Sequence, residues 1–180
     1  MTGDSAAVYD ELRERRIELA FRRSPPGVTP EEDINAEVLF EEPLVVVAGK
    51  DNPWVRRRTI DLAELVNEPW AWYSREGDFN RLVVEAFLAS GLVPPRVTVY
   101  AEALNVRIGL VATRGYLTVV PASVLSFPAK HATLRKLPVE LPTTPWRIGI
   151  LTLKNRTLSP LAQFLIECAR EVAKPFAKGL

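Results

Sequence analysis

The sequence has 180 residues, 47% of them hydrophobic, with 23 Lys and Arg against 22 Asp and Glu for a formal charge of +1. That is enough apolar chain to bury a sizeable core in one domain or a pair of small lobes, and the balanced charge offers no general attraction to a nucleic-acid backbone. One cysteine, Cys168, rules out an internal disulfide framework; the charged N-terminus lacks a signal peptide's apolar stretch and no segment is long enough to span a bilayer, so a cytoplasmic protein without a membrane partner is expected.

In chain order, residues 5–16 read as a helix, with Ser5 as its cap and Val8 and Leu12 on one face. Ile17, Leu19 and Phe21 alternate as a short strand, and the helix-then-strand order is half of an α/β unit whose preceding strand is missing. Residues 22–33 carry Pro25, Pro26, Gly27 and Pro30 and read as a turn or crossing loop. AEVLFEEPLVVVAG, from Ala36, is extended, with a bend at Pro43, which has no amide proton; a hinge between lobes fits there. TIDLAEL is a short helical turn, NEPWAWYS an aromatic strand, and DFNRLVVEAFLASG an amphipathic helix capped by Asp78 and stopped by Gly91.

Arg96 to Tyr100 is another strand, followed by a helix from about Ala103 to Thr113 with Leu104, Ile108 and Val111 on its inner side. Gly115 permits a left-handed turn into YLTVV, an apolar strand of the kind covered on both faces, and Pro121 ends it. WRIGILTL returns as a strand. Ser159 caps a last helix with Pro160 in its first position and an apolar stripe of Leu161, Phe164, Leu165, Cys168 and Val172, which is expected to face inward with Cys168 as an inert core residue. The alternation of helices and strands predicts α/β architecture with parallel strands.

Ligands collect beyond the carboxyl ends of such strands. Four loops qualify: residues 21–24, 73–80, 100–105 and 121–124. They bring Arg22, Arg23, Ser24, Tyr73, Ser74, Arg75, Asn80, Asn105 and Ser123, together with helix N-termini, a donor set that suits a small anion or carboxylate. Enzyme chemistry has little to work with. His131, the only histidine, lies in the mixed stretch PAKHATLRK; Cys168 is on an apolar stripe; and no metal-ligand spacing, GxGxxG or GxxxxGK[ST] loop occurs, so no metal, no cofactor and no catalysis are expected. The basic run VRRRT at residues 55–59 lies beside Asp61 and Glu64 and reads as a solvated turn. Trp54, Trp70 and Trp72 suit a core or a pocket.

Several segments taken together, GDSAAVYDELRERRIELAFRR, EVLFEEPLVVVAGKDNPW, TIDLAEL, ALNVRIGLVATRGYLTVVPASV and WRIGILTLKNRTLSPLAQFLIE, resemble the effector-binding domain of LysR-type transcriptional regulators, in family order and over nearly the whole chain. The resemblance implies an α/β fold of two Rossmann-like lobes joined by crossing strands, like type 2 periplasmic binding proteins. Lobe I would be residues 1–41 and 132–180, lobe II residues 42–131. Two expected upstream pieces are absent: the DNA-binding helix-turn-helix, and the first strand, helix and second strand of the effector domain, which leaves lobe I incomplete. Carried over, Gly3, Ser5, Arg22, Arg23 and Ser24 would line a cleft from lobe I, and Tyr73, Ser74, Arg75, Glu102, Ala103 and Leu104 from lobe II. The implied partners are a small anionic effector and a second copy in a homodimer, with DNA reached only through the absent helix-turn-helix. A stand-alone solute-binding module and an enzyme on a similar two-lobed fold are the alternatives.

Overall fold

The apolar period at the start of the chain resolves into helix α1, Ser5–Arg13, in a computed structural model that describes residues 5–25, 27–75, 77–126 and 133–177. The chain divides into two units, Met1–Glu42 with Pro145–Leu180, and Pro43–Thr144.

In the first unit, strands β1 (Leu19–Ser24) and β2 (Ile34–Glu42) flank a long strand from Trp146 to Leu153, and both pair with it antiparallel. Tyr9 and Leu12 of α1 are buried with Ile34 and Leu151, so the i,i+3 face of a short helix covers one side of the sheet. A bulge between Val38 and Phe40 brings β2 close to the long strand. A Cβ at Gly149 would lie 2.4 Å from the Glu37 carbonyl oxygen, so only glycine fits that crossing.

The second unit begins where Pro43 breaks the extended segment, as expected. Strand β3 (Leu44–Gly49) is buried along its whole length. Leu44, Val46 and Ala48 enter one cluster with Trp70 and Phe87, while Val45 and Val47 enter another with Ile108 and Val111. Alternation thus feeds two cores from one continuous apolar run. The remaining elements are β4 (Trp70–Trp72), α2 (Asp78–Ala89), β5 (Val97–Tyr100), α3 (Leu104–Arg114), β6 (Thr118–Pro121) and β7 (Leu134–Lys136). β6 and β7 pair antiparallel with β3, and β4 pairs parallel with β5 and approaches β6 through a parallel bridge from Trp70 to Leu117. Gly115 has φ 73°, the left-handed turn expected between α3 and β6.

Several expectations change. Parallel pairing holds for β4 with β5 and for the β4–β6 bridge; the long strand of the first unit, which is β8, and both partners of β3 run antiparallel. α1 ends at Arg13, and β1 continues through Arg22 and Arg23 to Ser24, so the loop starts later. The cap of α2 is Gly77, with Asp78 already in the first helical turn. The larger correction concerns the last helix, α4 (Pro160–Ala177), which turns Ala162, Ile166 and Ala173 inward, while Leu161, Phe164, Leu165 and Val172 are exposed and Cys168 is half-buried. Small alanines let the helix settle close onto β2, where Phe40 stacks on Phe176 at 5.0 Å and Arg170 pairs with Glu37 at 2.7 Å.

Candidate functional site

In the second unit, β4, β5 and β6 run the same way, so their carboxyl ends share an edge. Tyr73, Ser74 and Arg75 leave β4 there, Ala101 leaves β5, and Glu102, Ala103 and Leu104 lead into α3. The Ala101 N–H donates to the Trp72 carbonyl at 2.8 Å, which ties the two loops together. Both helices that start at this edge lack a side-chain cap: Gly77 at the start of α2 has no side chain to offer, and Ala103 precedes α3. A helix start without a side-chain N-cap bond, and the positive end of each helix dipole, favour an anion at such a place.

Two arginines complete the cluster. Arg75 lies 5.7 Å over the Tyr100 ring, and its carbonyl accepts from Asn80 Nδ2 at 2.9 Å. Arg107 is only 4% exposed; its guanidinium donates to the Ala101 carbonyl at 3.0 Å and sits 5.4 Å from the Tyr73 ring centre. Tyr73 in turn packs at 6.0 Å on Phe79. A buried guanidinium thus joins the loop after β4 to the loop after β5, with aromatic faces alongside. The arrangement offers cationic charge, backbone donors and flat apolar surface, which is what a small carboxylate with a ring or short apolar body needs. Ser123 follows β6 at the same edge, while Asn105 is exposed on α3.

In the first unit, β1's alternation separates the candidates. Arg22 and Ser24 face α1, where Arg22 donates to the Tyr9 hydroxyl and lies over its ring, and they line a cavity of about 190 Å³ with Tyr9, Val38 and Arg147. Arg23 points to the opposite face, 3.7 Å from the buried Glu42 carboxylate and over Trp146. Arg22 and Arg23 therefore do not meet on one side of the sheet. Ser5 opens α1. Gly3 and His131 lie outside the described residues. The run at residues 55–59 is an exposed turn in which Arg57 pairs with Glu64 at 3.1 Å, and Trp70 and Trp72 are core residues. Among the described residues no group of three or more His, Cys, Asp or Glu side chains is placed to hold a metal ion.

Sequence reasoning missed Arg107, Tyr100 and Phe79 in the second unit, and Tyr9 and Arg147 in the first. Arg107 had a legible signal: it lies three residues after Leu104 and one before Ile108, a charge on the helix's inward stripe. The others are ordinary residues whose role comes from their neighbours.

A sequence model of the LysR substrate binding domain matches residues 1–174. The chain is 26% identical over 165 residues to the transcriptional dual regulator GltC of Bacillus subtilis (strain 168), which is 92% of this chain and 54% of GltC. It thus spans about half the length of that relative. Among solved structures, the effector-binding domain of QuiR in complex with shikimate superposes with a TM-score of 0.67 at 24% identity, covering 96% of this chain and 79% of that one. The BenM effector-binding domain with its effector benzoate gives 0.71 at 24% identity, covering 96% and 77%.

Proposed function

The chain belongs to the LysR substrate-binding domain family, and on that premise we propose that it is the effector-sensing part of a transcriptional regulator, binding a small carboxylate or a related anion. The observation that carries this reading is the cluster at the shared edge of β4, β5 and β6, where Arg75, Arg107, Tyr73 and two helix N-termini without side-chain caps converge. QuiR and BenM, whose folds this chain shares, hold shikimate and benzoate, both ring carboxylates. The chemistry of the edge fits that class.

In this reading Arg75 and the backbone N–H groups of Ala103 and Leu104 take the carboxylate, Arg107 fixes the two loops, and the faces of Tyr73 and Tyr100 take the ring. On the family pattern Gly3, Ser5, Arg22, Arg23 and Ser24 are the first unit's candidates, of which Arg22 and Ser24 line a cavity of that unit. The protein senses and does not catalyse: a bound anion alters the conformational balance only by the difference in its affinity for the two states. DNA contact falls to a helix-turn-helix region outside these 180 residues, acting in a cytoplasmic homodimer. Among the described residues no helix is long and apolar enough to cross a membrane.

Thermal-shift screening of the purified chain against benzoate, shikimate and short aliphatic carboxylates tests this. A ligand at about 100 times its Kd adds about 2.7 kcal/mol, which for a chain of this size raises the midpoint by roughly 5–10 °C. Arg75→Ala should abolish the response. A responder that binds Arg75→Ala unchanged would remove the edge of the second unit from the site.

A further inference from the structure

The basic run at residues 55–59 has no part in the proposed site, and the fold gives it neighbours that the sequence does not show. Residues 50–60 form an arch whose two feet are fixed beside the ends of β7: the Lys50 N–H donates to the Thr133 carbonyl at 2.7 Å and the Ile60 N–H to the Pro138 carbonyl at 3.0 Å. β7 is an end strand of its sheet, so arch and strand share an outer edge of the second unit. At the first foot Asn52 Nδ2 donates to the Gly115 carbonyl at 3.3 Å, which brings in the last turn of α3 with Arg114. Residues 50–60 and 133–138 hold six Lys and Arg against one carboxylate, Asp51, in a chain whose totals are 23 and 22. The excess at this edge leaves the rest of the molecule acidic.

Lys50, Arg56, Arg58, Arg114 and Lys136 are exposed, and among the described residues no carboxylate pairs with any of them. Arg57 is held by Glu64 at 3.1 Å, and Arg135 donates to the Leu134 carbonyl at 2.7 Å. Cations set side by side repel one another, and a polyanion relieves that repulsion. None of the exposed large hydrophobic side chains among the described residues lies on the arch, on β7 or in the last turn of α3. A protein partner needs apolar anchors at the centre of its interface, whereas a phosphate backbone is bound by charge alone. We propose that this edge of the second unit binds the phosphate backbone of duplex DNA without reading its sequence. That goes beyond the proposed function, in which DNA is reached through a helix-turn-helix region outside these residues. The stretch from Thr133 to Pro138 spans up to about 17 Å at roughly 3.3 Å per residue. Duplex DNA carries one charge for about every 1.7 Å of its axis, so the edge meets enough phosphates to hold about four of them. Guanidinium groups, planar with paired donors, suit phosphate oxygens.

Fluorescence anisotropy of a short labelled duplex of arbitrary sequence, titrated with the purified 180-residue chain, tests this. Binding should weaken roughly 100-fold between about 50 and 200 mM salt, as expected when about four phosphates give up their counterions. Arg56→Ser combined with Arg58→Ser should halve the logarithmic salt slope, so that the same change of salt weakens binding only roughly 10-fold. Lys136→Ser alone should lower the slope by about one. An unchanged thermal midpoint in each variant shows that the fold is kept. The same loss of charge outside the edge, Arg15→Ser with Arg81→Ser, should leave the slope as it is. No binding at low salt, or a slope that the edge substitutions do not change, overturns the proposal. So does a poly-glutamate that binds more tightly than the duplex and displaces it, because the edge would then be a docking face for an acidic protein. The effector response through Arg75 is read separately and is untouched by any of these results.

Discussion

Gly109 and Gly115 stand six residues apart and answer to opposite rules. Gly109 lies inside α3, exposed, with nothing within 4 Å of a Cβ, whereas Gly115 ends that helix at φ 73°. Gly109→Ala should stabilise the unit by about 0.5–1 kcal/mol, because alanine favours the helix and restricts the unfolded chain. Gly115→Ala should cost roughly 1 kcal/mol, the penalty of a Cβ in the left-handed region. Urea unfolding followed by tryptophan fluorescence measures both, and shifts of the same sign would contradict the assigned backbone. The turn at Gly115 was legible from the residue type and its place between two apolar runs. The division of Arg22 from Arg23 was also available, since neighbours on a strand point to opposite faces; reading them as loop residues hid it. Arg107 was overlooked because the inner stripe was read only for its apolar members.

At the scale of elements, apolar periodicity identified each α-helix and nearly every strand among the described residues, but it does not carry direction or the choice of face. Nothing in WRIGILTL distinguishes an antiparallel strand between β1 and β2 from a parallel one. In α4 the apolar arc spans both the exposed leucines and phenylalanine and the adjacent alanines, and the sheet selected the small side chains because they allow close approach. The start of that helix makes a prediction of its own. Ser159 Oγ accepts from the Ala162 N–H at 3.2 Å, and its hydroxyl and backbone N–H donate to the Glu18 carboxylate at 2.6 and 2.9 Å. Those two hydrogen bonds from Ser159 hold the Glu18 carboxyl below the usual carboxylate range. Because the folded value is the lower one, this stabilisation is fully present above the ordinary glutamate pKa and is lost as pH falls through the depressed value. Asp33 beside Arg13 and Glu37 beside Arg170 are depressed likewise, chiefly by hydrogen bonds from those guanidinium groups, and act with the same sign in the same unit. Ser159→Ala should cost about 1 kcal/mol at neutral pH and flatten the loss of thermal stability between pH 5 and pH 3. A variant with an unchanged acid profile would show that Glu18 does not depend on this contact.

For the whole molecule, the α/β class and the ordered family segments were readable because each element has its own period and caps. The donor-rich edge was readable only in outline. The loops after β4 and β5 were marked by their position, but their union through Arg107 needs a parallel pairing that brings Trp72 beside Tyr100, and pairing is a long-range property that no local pattern states. In the proposed function, sensing depends on that union. If Arg107 positions the loops, Arg107→Met should weaken carboxylate binding by roughly 10-fold or more through the loss of a charge-assisted contact, and the same variant should show faster amide exchange at residues 73–75 and 101–104 without ligand. Isothermal titration with benzoate and hydrogen exchange of the free protein read the two effects.

The most direct measurement is amide-resolved NMR of the 180-residue chain titrated with whichever of benzoate or shikimate raises its thermal midpoint. Saturable shift changes concentrated at Tyr73 to Arg75 and Ala101 to Leu104, and missing in Arg75→Ala, are the predicted result. Saturable binding whose shift changes leave those residues still, or that persists in Arg75→Ala, would contradict it.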